Sequence, residues 1–179
     1  MKKILLILIV LFSFSSIHAQ KYKSDKSTVT FYSEAVIENI EATNNKAQSV
    51  LDVTNQNIVF SIPIDGFDFE KDLMQEHFNE KYMETEKFPK SIFSGKFSGF
   101  DINKTGKQKV AASGKLTIHG VERKISAEGI MIVEGNKIKL SSSFKVKLKD
   151  YKIAIPQLLW QNIAEEVEVK LLFEYAKIN

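Results

Sequence analysis

Residues 137–149 read Lys-Ile-Lys-Leu-Ser-Ser-Ser-Phe-Lys-Val-Lys-Leu-Lys, and this stretch decides the fold class. Its apolar side chains recur at every second position, which is the period of a β-strand with one dry face and one wet face. Five lysines occupy the wet face. A membrane-spanning barrel needs apolar side chains on its outer surface. We therefore expect this strand to turn its lysines to water and its apolar side chains inward.

The same alternation continues on both sides of that stretch. It is strong in residues 110–118, 121–133 and 167–175, and turn-forming Asn and Gly residues separate the strands. Gaps of hairpin length between successive strands favour an antiparallel meander. We predict one all-β domain, a single antiparallel β-barrel of about eight strands, and leave a two-sheet sandwich open as the alternative. Shorter strand candidates are residues 28–32, 36–41, 48–53, 57–64 and 91–102.

One segment, residues 70–89, departs from the strand pattern. Its apolar side chains are three and four residues apart, which is typical of one face of an amphipathic helix. Phe88 and Pro89 end the pattern, because proline disfavours helix in the residue before it. We predict a short helix over about residues 70–86 that covers the mouth of the barrel. Its apolar face consists of Leu73, Met74, His77, Phe78 and Tyr82.

The N-terminal segment, residues 1–19, has the pattern of a signal peptide. Two lysines precede an apolar run over residues 4–12, and small residues lead to Ala19. The run is shorter than the roughly 20 residues that span a bilayer. We therefore expect cleavage after Ala19 and release of residues 20–179 as one domain with no integral membrane span. The expected location is the periplasm or the exterior of the cell.

The composition excludes several classes of function. The chain has 25 basic and 22 acidic residues, and its net charge of +3 includes two lysines of the N-terminal segment, so the mature chain is almost neutral. Such a balance lacks the electrostatic footprint of a nucleic-acid-binding protein. Because the sequence has 0 cysteines, it offers no disulfide framework, no cysteine nucleophile and no lipid attachment through an N-terminal cysteine.

The mature chain has few groups for catalysis or metal binding. Its two histidines are His77, on the predicted helix, and His119, in a predicted tight turn. His77 with Glu80 lacks further metal ligands, and such a pair usually lies on the solvated side of a helix. The sequence has no Gly-rich phosphate loop and no nucleophile elbow, although a Ser–His–acid triad stays open. We predict a protein that is not an enzyme, with no catalytic residue, no metal and no cofactor.

Two motifs resemble the YceI-like family. The first reads Leu73-Met74-x-x-His77-Phe78-Asn79-x-x-Tyr82, followed by Lys87-Phe88-Pro89-x-x-x-Phe93. The second is the hairpin Gly114-Lys-Leu-Thr-Ile-His-Gly-Val-Glu-Arg-Lys124. An early strand with Val29 and Phe31, and Asp150-Tyr151 before the last strand, extend the resemblance over the mature chain. One departure is Lys152, where the family often has glycine, so the form of that turn stays open.

The resemblance implies a lipocalin-like barrel that binds a long-chain isoprenoid or a similar amphiphilic lipid in its interior. We expect an exported protein that sequesters or carries such a lipid. A packed barrel that acts as an envelope-stress or protein-interaction module is the alternative, and a lipid-modifying enzyme is a third. A homodimer stays open. The residues expected to line the cavity, or otherwise to fill the core, are Phe31, Phe67, Phe69, Leu73, Met74, Phe78, Tyr82, Phe88, Phe93, Phe97, Leu116, Ile118, Met131, Phe144, Trp160 and Phe173.

Overall fold

The computed structural model describes residues 20–34, 39–155 and 164–178, most of which lie in β-strands. The helical segment α1 (Asp72–His77) continues into a π-helical turn over Phe78–Tyr82. The strands are β1 (Lys21–Ser33), β2 (Ile40–Asn44), β3 (Gln48–Asp52), β4 (Asn57–Pro63), β5 (Phe67–Phe69), β6 (Lys90–Ser98), β7 (Gly106–Ile118), β8 (Val121–Glu134), β9 (Lys137–Lys147) and β10 (Glu166–Lys177).

Eight of these strands close an antiparallel barrel. Their order is β1-β3-β4-β6-β7-β8-β9-β10, and β10 is hydrogen-bonded back to β1. The predicted barrel is confirmed, and the sandwich alternative is wrong. The register brings apolar residues to the same level, since Phe93 lies opposite Leu116 and Leu140 lies opposite Phe173. The apolar residues of β9 are buried or half-buried, as the alternation predicts.

Strand β1 joins two parts of the barrel wall. Its first residues, Lys21–Lys23, pair with β3, and its last five, Val29–Ser33, pair with β2. Strand β5 pairs with β2 and extends the sheet beyond the closed ring. The first strand is therefore longer than the predicted stretch 28–32. The predicted stretch 36–41 overlaps β2 only at its end, and residues 36–38 lie outside the described part of the chain.

The end of the barrel away from α1 is filled with side chains. We call Leu51, Ile138, Phe173 and Tyr175 the far core, because each is at most 2% exposed. The ring of Phe173 stacks on that of Tyr175 at a centroid distance of 6.0 Å. The Tyr175 hydroxyl lies 2.8 Å from the Ser49 hydroxyl, which donates in turn to the Val59 carbonyl. Burial raises the pKa of Tyr175, so this phenol stays neutral.

The helical segment lies between two strands that are neighbours in the barrel. We call residues 64–89, which connect these strands, the excursion. Strands β4 and β6 pair directly, and the backbone N–H of Ile64 donates to the carbonyl of Pro89 at 2.9 Å where the excursion leaves and returns. The helix is shorter than the predicted range 70–86. It ends because Glu84 adopts a left-handed backbone conformation with a φ of 44°, well before the proline that was expected to stop it.

The turn after β9 has a backbone conformation that normally favours glycine. Lys152 follows the 3₁₀ turn Leu148–Tyr151 with a φ of 56° and a ψ of 27°. A lysine there costs energy because its Cβ crowds the backbone in the left-handed region. Lys152 therefore adopts a positive φ despite this energetic cost.

Candidate functional site

A cavity of about 280 Å³ lies in the barrel beneath α1. We call it the upper chamber. Val29 and Phe31 of β1 and Val167 and Val169 of β10 form part of its wall, and the excursion covers it with residues that include Phe78. The wall is apolar because these strands turn every second side chain inward. The chamber is therefore a product of the strand alternation together with the inserted helix.

Four phenylalanines form an aromatic cluster on one side of the upper chamber. We call Phe31, Phe67, Phe69 and Phe78 the mouth cluster. The ring of Phe31 stacks on that of Phe78 at 5.5 Å and meets that of Phe67 edge-on at 5.3 Å. Phe69 lies 4.9 Å from Phe78. Since Phe78 is on the helical segment and Phe31 is on the barrel wall, the cluster holds the cover against the barrel.

The described lining of the upper chamber contains few polar side chains and no Asp, Glu, Lys or Arg. The polar ones are Ser33, His77, Tyr82 and Ser91. The hydroxyl of Ser33 accepts a hydrogen bond from the Ala164 backbone N–H at 2.9 Å, so it is already engaged. Burial raises the pKa of Tyr82, which keeps this phenol neutral. Such a lining suits an apolar guest, because a charge placed there would have no partner.

A smaller chamber of about 60 Å³ lies further into the barrel. We call it the lower chamber. Ile62, Leu116 and Phe144 line both chambers and so form the constriction between them. Below the lower chamber the interior becomes the far core, where side chains occupy the space. The free volume therefore decreases steadily from the helix-covered mouth to the opposite end.

A polar contact outside the chamber lining ties the excursion to the β7–β8 turn. His119 has a φ of 48°, and its Nε2 lies 3.0 Å from a carboxylate oxygen of Glu84. Its Nδ1 lies 3.2 Å from the carbonyl oxygen of Tyr151. Both partners are acceptors, so only a protonated imidazole can donate to both at once. We call Glu84, His119 and Tyr151 the latch.

Neighbouring groups support the latch. A hydrogen bond from Lys87 and a second from His119 hold the pKa of Glu84 below its ordinary value, because both stabilise the carboxylate. The ring of Phe88 lies 4.6 Å from that of His119. Gly120 has a φ of 71°, and a Cβ there would collide with Phe88. His119 therefore has a structural position at this end of the barrel.

The structure brings most of the predicted ligand-binding residues together. Those in the lower chamber are Phe93, Phe97 and Met131, together with Leu116 and Phe144, which line both chambers. Phe173 lies in the far core, Phe88 packs on His119, and Trp160 lies outside the described residues. The predicted residues that line the upper chamber are Phe31, Phe67, Phe69, Met74, Phe78, Tyr82, Leu116, Ile118 and Phe144.

The predicted role of Leu73 in this lining needs correction. Its side chain is 61% exposed and does not line either chamber. Met74 and Phe78, four residues apart, face the chamber, and Leu73 is one helical step of about 100° away from that line. The predicted apolar face was therefore one residue too wide.

Several lining residues were not among the predicted ligand contacts. Val146, Val167 and Val169 lie on strand faces that the alternation turns inward, and Leu148 continues the face of β9 into the 3₁₀ turn, so the pattern was sufficient to find them. Ser33 and Ser91 carry no such signal, because a serine on a strand is usually interpreted as solvent-facing. The other such residues of the upper chamber are Val29, Ile40, Ile62, Ile64, His77, Met83 and Ile153.

Two further observations concern metal ligands and membrane-spanning helices in the described residues. In residues 20–34, 39–155 and 164–178, no three His, Asp or Glu side chains come close enough together to hold a metal ion. Within the same ranges, no helix has the length and apolar character that crossing a membrane requires.

Comparison with known proteins identifies relatives of this fold. The profile of the YceI-like domain family matches residues 21–175. A polyisoprenoid binding domain from Saccharophagus degradans, implicated in plant cell wall breakdown, superimposes with a TM-score of 0.76 at 15% identity, covering 88% of this chain and 98% of that one. BcnA of Burkholderia cenocepacia gives 0.69 at 18% identity, covering 83% and 95%.

A third solved structure is more distant. The YCEI protein of Campylobacter jejuni superimposes with a TM-score of 0.54 at 20% identity, covering 100% of this chain and 99% of that one. At such identities these structures establish the shared fold. No curated protein matches the chain by sequence.

Proposed function

The chain belongs to the YceI-like domain family, and on that premise we propose that it binds a long-chain isoprenoid or a similar amphiphilic lipid inside its barrel. The observation that carries the proposal is the upper chamber, an apolar space of about 280 Å³ covered by a helix. A structural neighbour is described as a polyisoprenoid binding domain, which supports the same class of ligand. A barrel packed throughout would have no such space, so the chamber favours this function over a purely structural module.

The chemistry of the chamber explains why a hydrocarbon chain is the preferred guest. Burial of each CH₂ group contributes about 0.8 kcal/mol, so affinity requires no ion pair. Phenylalanine rings and Met74 can adapt to an irregular chain and bring no polar atoms that would need partners. The described lining offers no Lys or Arg to a headgroup, so the polar end of the lipid remains outside the chamber.

We expect binding to be reversible and controlled by the excursion. The segment is anchored at Ile64 and Pro89 by a backbone hydrogen bond, and the latch fixes its other side through Glu84. Between these anchors, β5 holds Phe67 and Phe69 against β2 by backbone pairing. Phe78, on the helical segment, covers the chamber through side-chain packing on Phe31 and Phe69. A movement that separates Phe78 from Phe31 therefore opens the chamber without breaking the barrel. Such a protein sequesters or carries its lipid.

The proposed activity requires no catalytic step. The pair formed by His119 and Glu84 lies outside the lining of the upper chamber, and both members have structural partners. His77 is in the lining, where no carboxylate of the described residues accompanies it. A general base needs a partner that orients it beside the reacting group. The arrangement fits a binding protein better than a lipid-modifying enzyme.

We also propose that the protein is exported to the periplasm or the cell exterior. The support is the sequence of residues 1–19, with two lysines, an apolar run and small residues before Ala19. The intact mass of the protein isolated from its own cells tests this. A chain that begins at Gln20 agrees with the proposal, and a chain that keeps the first 19 residues contradicts it.

Extraction of the purified protein tests the binding function. The protein is isolated without detergent, extracted with organic solvent, and the extract is analysed by mass spectrometry against a mock purification. We expect a lipid with a long hydrocarbon chain at close to one molecule per protein. If no stoichiometric lipid is found, and the delipidated protein takes up neither a polyprenyl nor a fatty-acyl probe, the proposal is wrong.

A further inference from the structure

Strands β8 and β9 are paired over only part of their length. They form a hairpin in which Gly129–Glu134 pair with Lys137–Ser142. Strand β8 nevertheless begins at Val121, and β9 continues to Lys147. In the described residues, β8 pairs otherwise only with β7, and β9 only with β10. The facing edges, residues 121–128 and 143–147, therefore have no strand between them and leave a gap in the barrel wall.

Both ends of this gap are closed by hydrogen bonds. At the inner end, the hydroxyl of Ser142 donates to the carbonyl of Glu128 at 2.6 Å, next to the last paired residues of the hairpin, Gly129 and Ser142. At the outer end, Nε of Arg123 donates to the carbonyl of Asp150 at 3.0 Å and so bridges from β8 to the turn after β9. We call this gap, between residues 121–128 and 143–147, the window. Paired strands are about 4.8 Å apart, and the edges of the window lack the backbone hydrogen bonds that hold strands at that spacing.

The inner side of the window opens on both chambers. Ile125, Ala127 and Phe144, which lie along its two edges, line the lower chamber. Phe144 also lines the upper chamber, as does Val146. An apolar chain that passes between the two edges thus reaches the constriction between the chambers directly, without displacing α1.

The outer rim of the window carries several charged side chains. Those on the outward positions of the two free edges are Glu122, Lys124, Ser126 and Glu128 on β8, and Ser143, Lys145 and Lys147 on β9. Glu122 contacts Lys115 at 2.8 Å. Lys145 contacts Glu166 at 3.0 Å, whereas Ser143 donates to Glu168. Lys124 and Lys147 form no ion pair with a described residue, so these two lysines favour an anionic group at the rim.

We propose that this window admits the hydrocarbon chain of an amphiphile with an anionic headgroup, a carboxylate or a phosphate, while the lysine rim holds the headgroup outside. This inference rests on the proposed lipid-binding function and adds a second route to the chamber. The apolar edges accept the chain, and the rim accepts the charge. The helix-covered mouth then retains the bound lipid, and the window takes up lipid from outside.

A reversible crosslink across the window tests the route. Because the native sequence has 0 cysteines, the variant Ser126→Cys/Lys145→Cys can be bridged selectively by a short bismaleimide that contains a cleavable disulfide. The control, Ile130→Cys/Ser141→Cys, joins the same two strands where they are already paired. The measurement is the rate of uptake of cis-parinaric acid, a fluorescent fatty acid, by delipidated protein in stopped flow.

We expect the window crosslink to slow uptake at least about tenfold, with recovery after reduction, and the control crosslink to change the rate less than about twofold. Equal rates with and without the window crosslink would overturn the window proposal. If the uncrosslinked protein binds the probe at equilibrium, the proposed lipid-binding function survives that result. If it binds neither probe nor lipid, both proposals fail.

The headgroup is tested with a rim variant, Lys124→Gln/Lys147→Gln. We expect slower uptake of parinaric acid and unchanged uptake of the corresponding neutral alcohol. An equal effect on both probes would contradict the role of the rim. Displacement of the bound probe by palmitate or by a polyprenyl phosphate distinguishes a carboxylate from a phosphate headgroup, and failure of both to displace it contradicts the anionic ligand.

Discussion

The far core and the mouth cluster are both built on phenylalanine, yet their surroundings differ. In the far core, Phe173 is 2% exposed and lies 5.0 Å from the ring of Phe60 and 6.0 Å from Tyr175. In the mouth cluster, Phe31 and Phe78 stack at 5.5 Å and also line an open volume of about 280 Å³. The same side chain therefore has neighbours on all sides at one end and on only one side at the other.

This difference follows from the chain topology. At the far end, adjacent strands bring their inward side chains together at one level, and the space is filled. At the mouth, the excursion between β4 and β6 keeps a helix above the strands and leaves room beneath it. The far core accordingly contributes stability, and the mouth retains free volume for a guest.

The largest expected effect distinguishes the two clusters by stability. Phe173→Ala should lower the free energy of unfolding by about 3–5 kcal/mol, because it removes a fully enclosed ring and leaves a cavity. Phe31→Ala should cost only about 1–2 kcal/mol, since that ring already borders open volume. Urea unfolding of delipidated protein measures both. Equal losses would contradict the contrast between the clusters.

The second-largest expected effect is on lipid retention by the mouth cluster. Phe78→Asp should weaken retention of a fatty-acyl probe at least about tenfold, because it places a charge in an apolar lining without a partner. Leu73→Asp is the control on the same helix, and it should leave retention unchanged because that side chain is 61% exposed. Probe dissociation and urea unfolding are measured on both variants. If Phe78→Asp reduces stability and retention to the same extent, Phe78 belongs to the ordinary core.

A smaller effect is expected at the turn after β9. Lys152→Gly should raise the free energy of unfolding by about 1 kcal/mol, because glycine adopts the φ of 56° without the crowding that a Cβ causes. Lys149→Gly, in the same turn, should lower stability instead, because a glycine gains nothing there and increases the entropy of the unfolded chain. Destabilisation by Lys152→Gly would show that the lysine side chain has a role of its own.

The smallest effect concerns the latch and depends on pH. The folded state lowers the pKa of Glu84 from its ordinary value of 4.5, so the stabilisation is present above pH 4.5 and disappears as the pH falls through the folded value. Glu84→Gln lacks this contribution, and its urea midpoint should approach that of the native protein at low pH. Glu86→Gln, which leaves the Glu84 contacts in place, is the control. A constant difference at every pH would contradict a role for the carboxylate.

The parts of this molecule that sequence alone predicts are those with a local period. The alternation over Ile138–Lys147 gave the inner face of β9, and the helical spacing of Met74 and Phe78 gave the cover of the chamber. Both signals depend only on which side chains lie a fixed number of residues apart. The barrel and most of its lining therefore follow from pattern.

The remaining features depend on contacts between distant residues. The helix ends before Glu84, whose backbone has a positive φ and whose carboxylate contacts His119, 35 residues away. Neither free edge of the window differs in pattern from a paired strand, so residues 121–128 and 143–147 appear regular in sequence. The size of the chamber likewise depends on how far the excursion holds its helix above the strands. These features require the assembled structure.

The most direct measurement is the position of a bound chain. The delipidated protein is loaded with a fatty acid that carries bromine at the end of its hydrocarbon chain, and the anomalous signal of bromine is located in crystals of the complex. The account predicts bromine inside the barrel, in the upper chamber beside Phe31 and Phe78 or at the constriction beside Phe144. Bromine found only on the outer surface, with side chains filling the chamber, would contradict it.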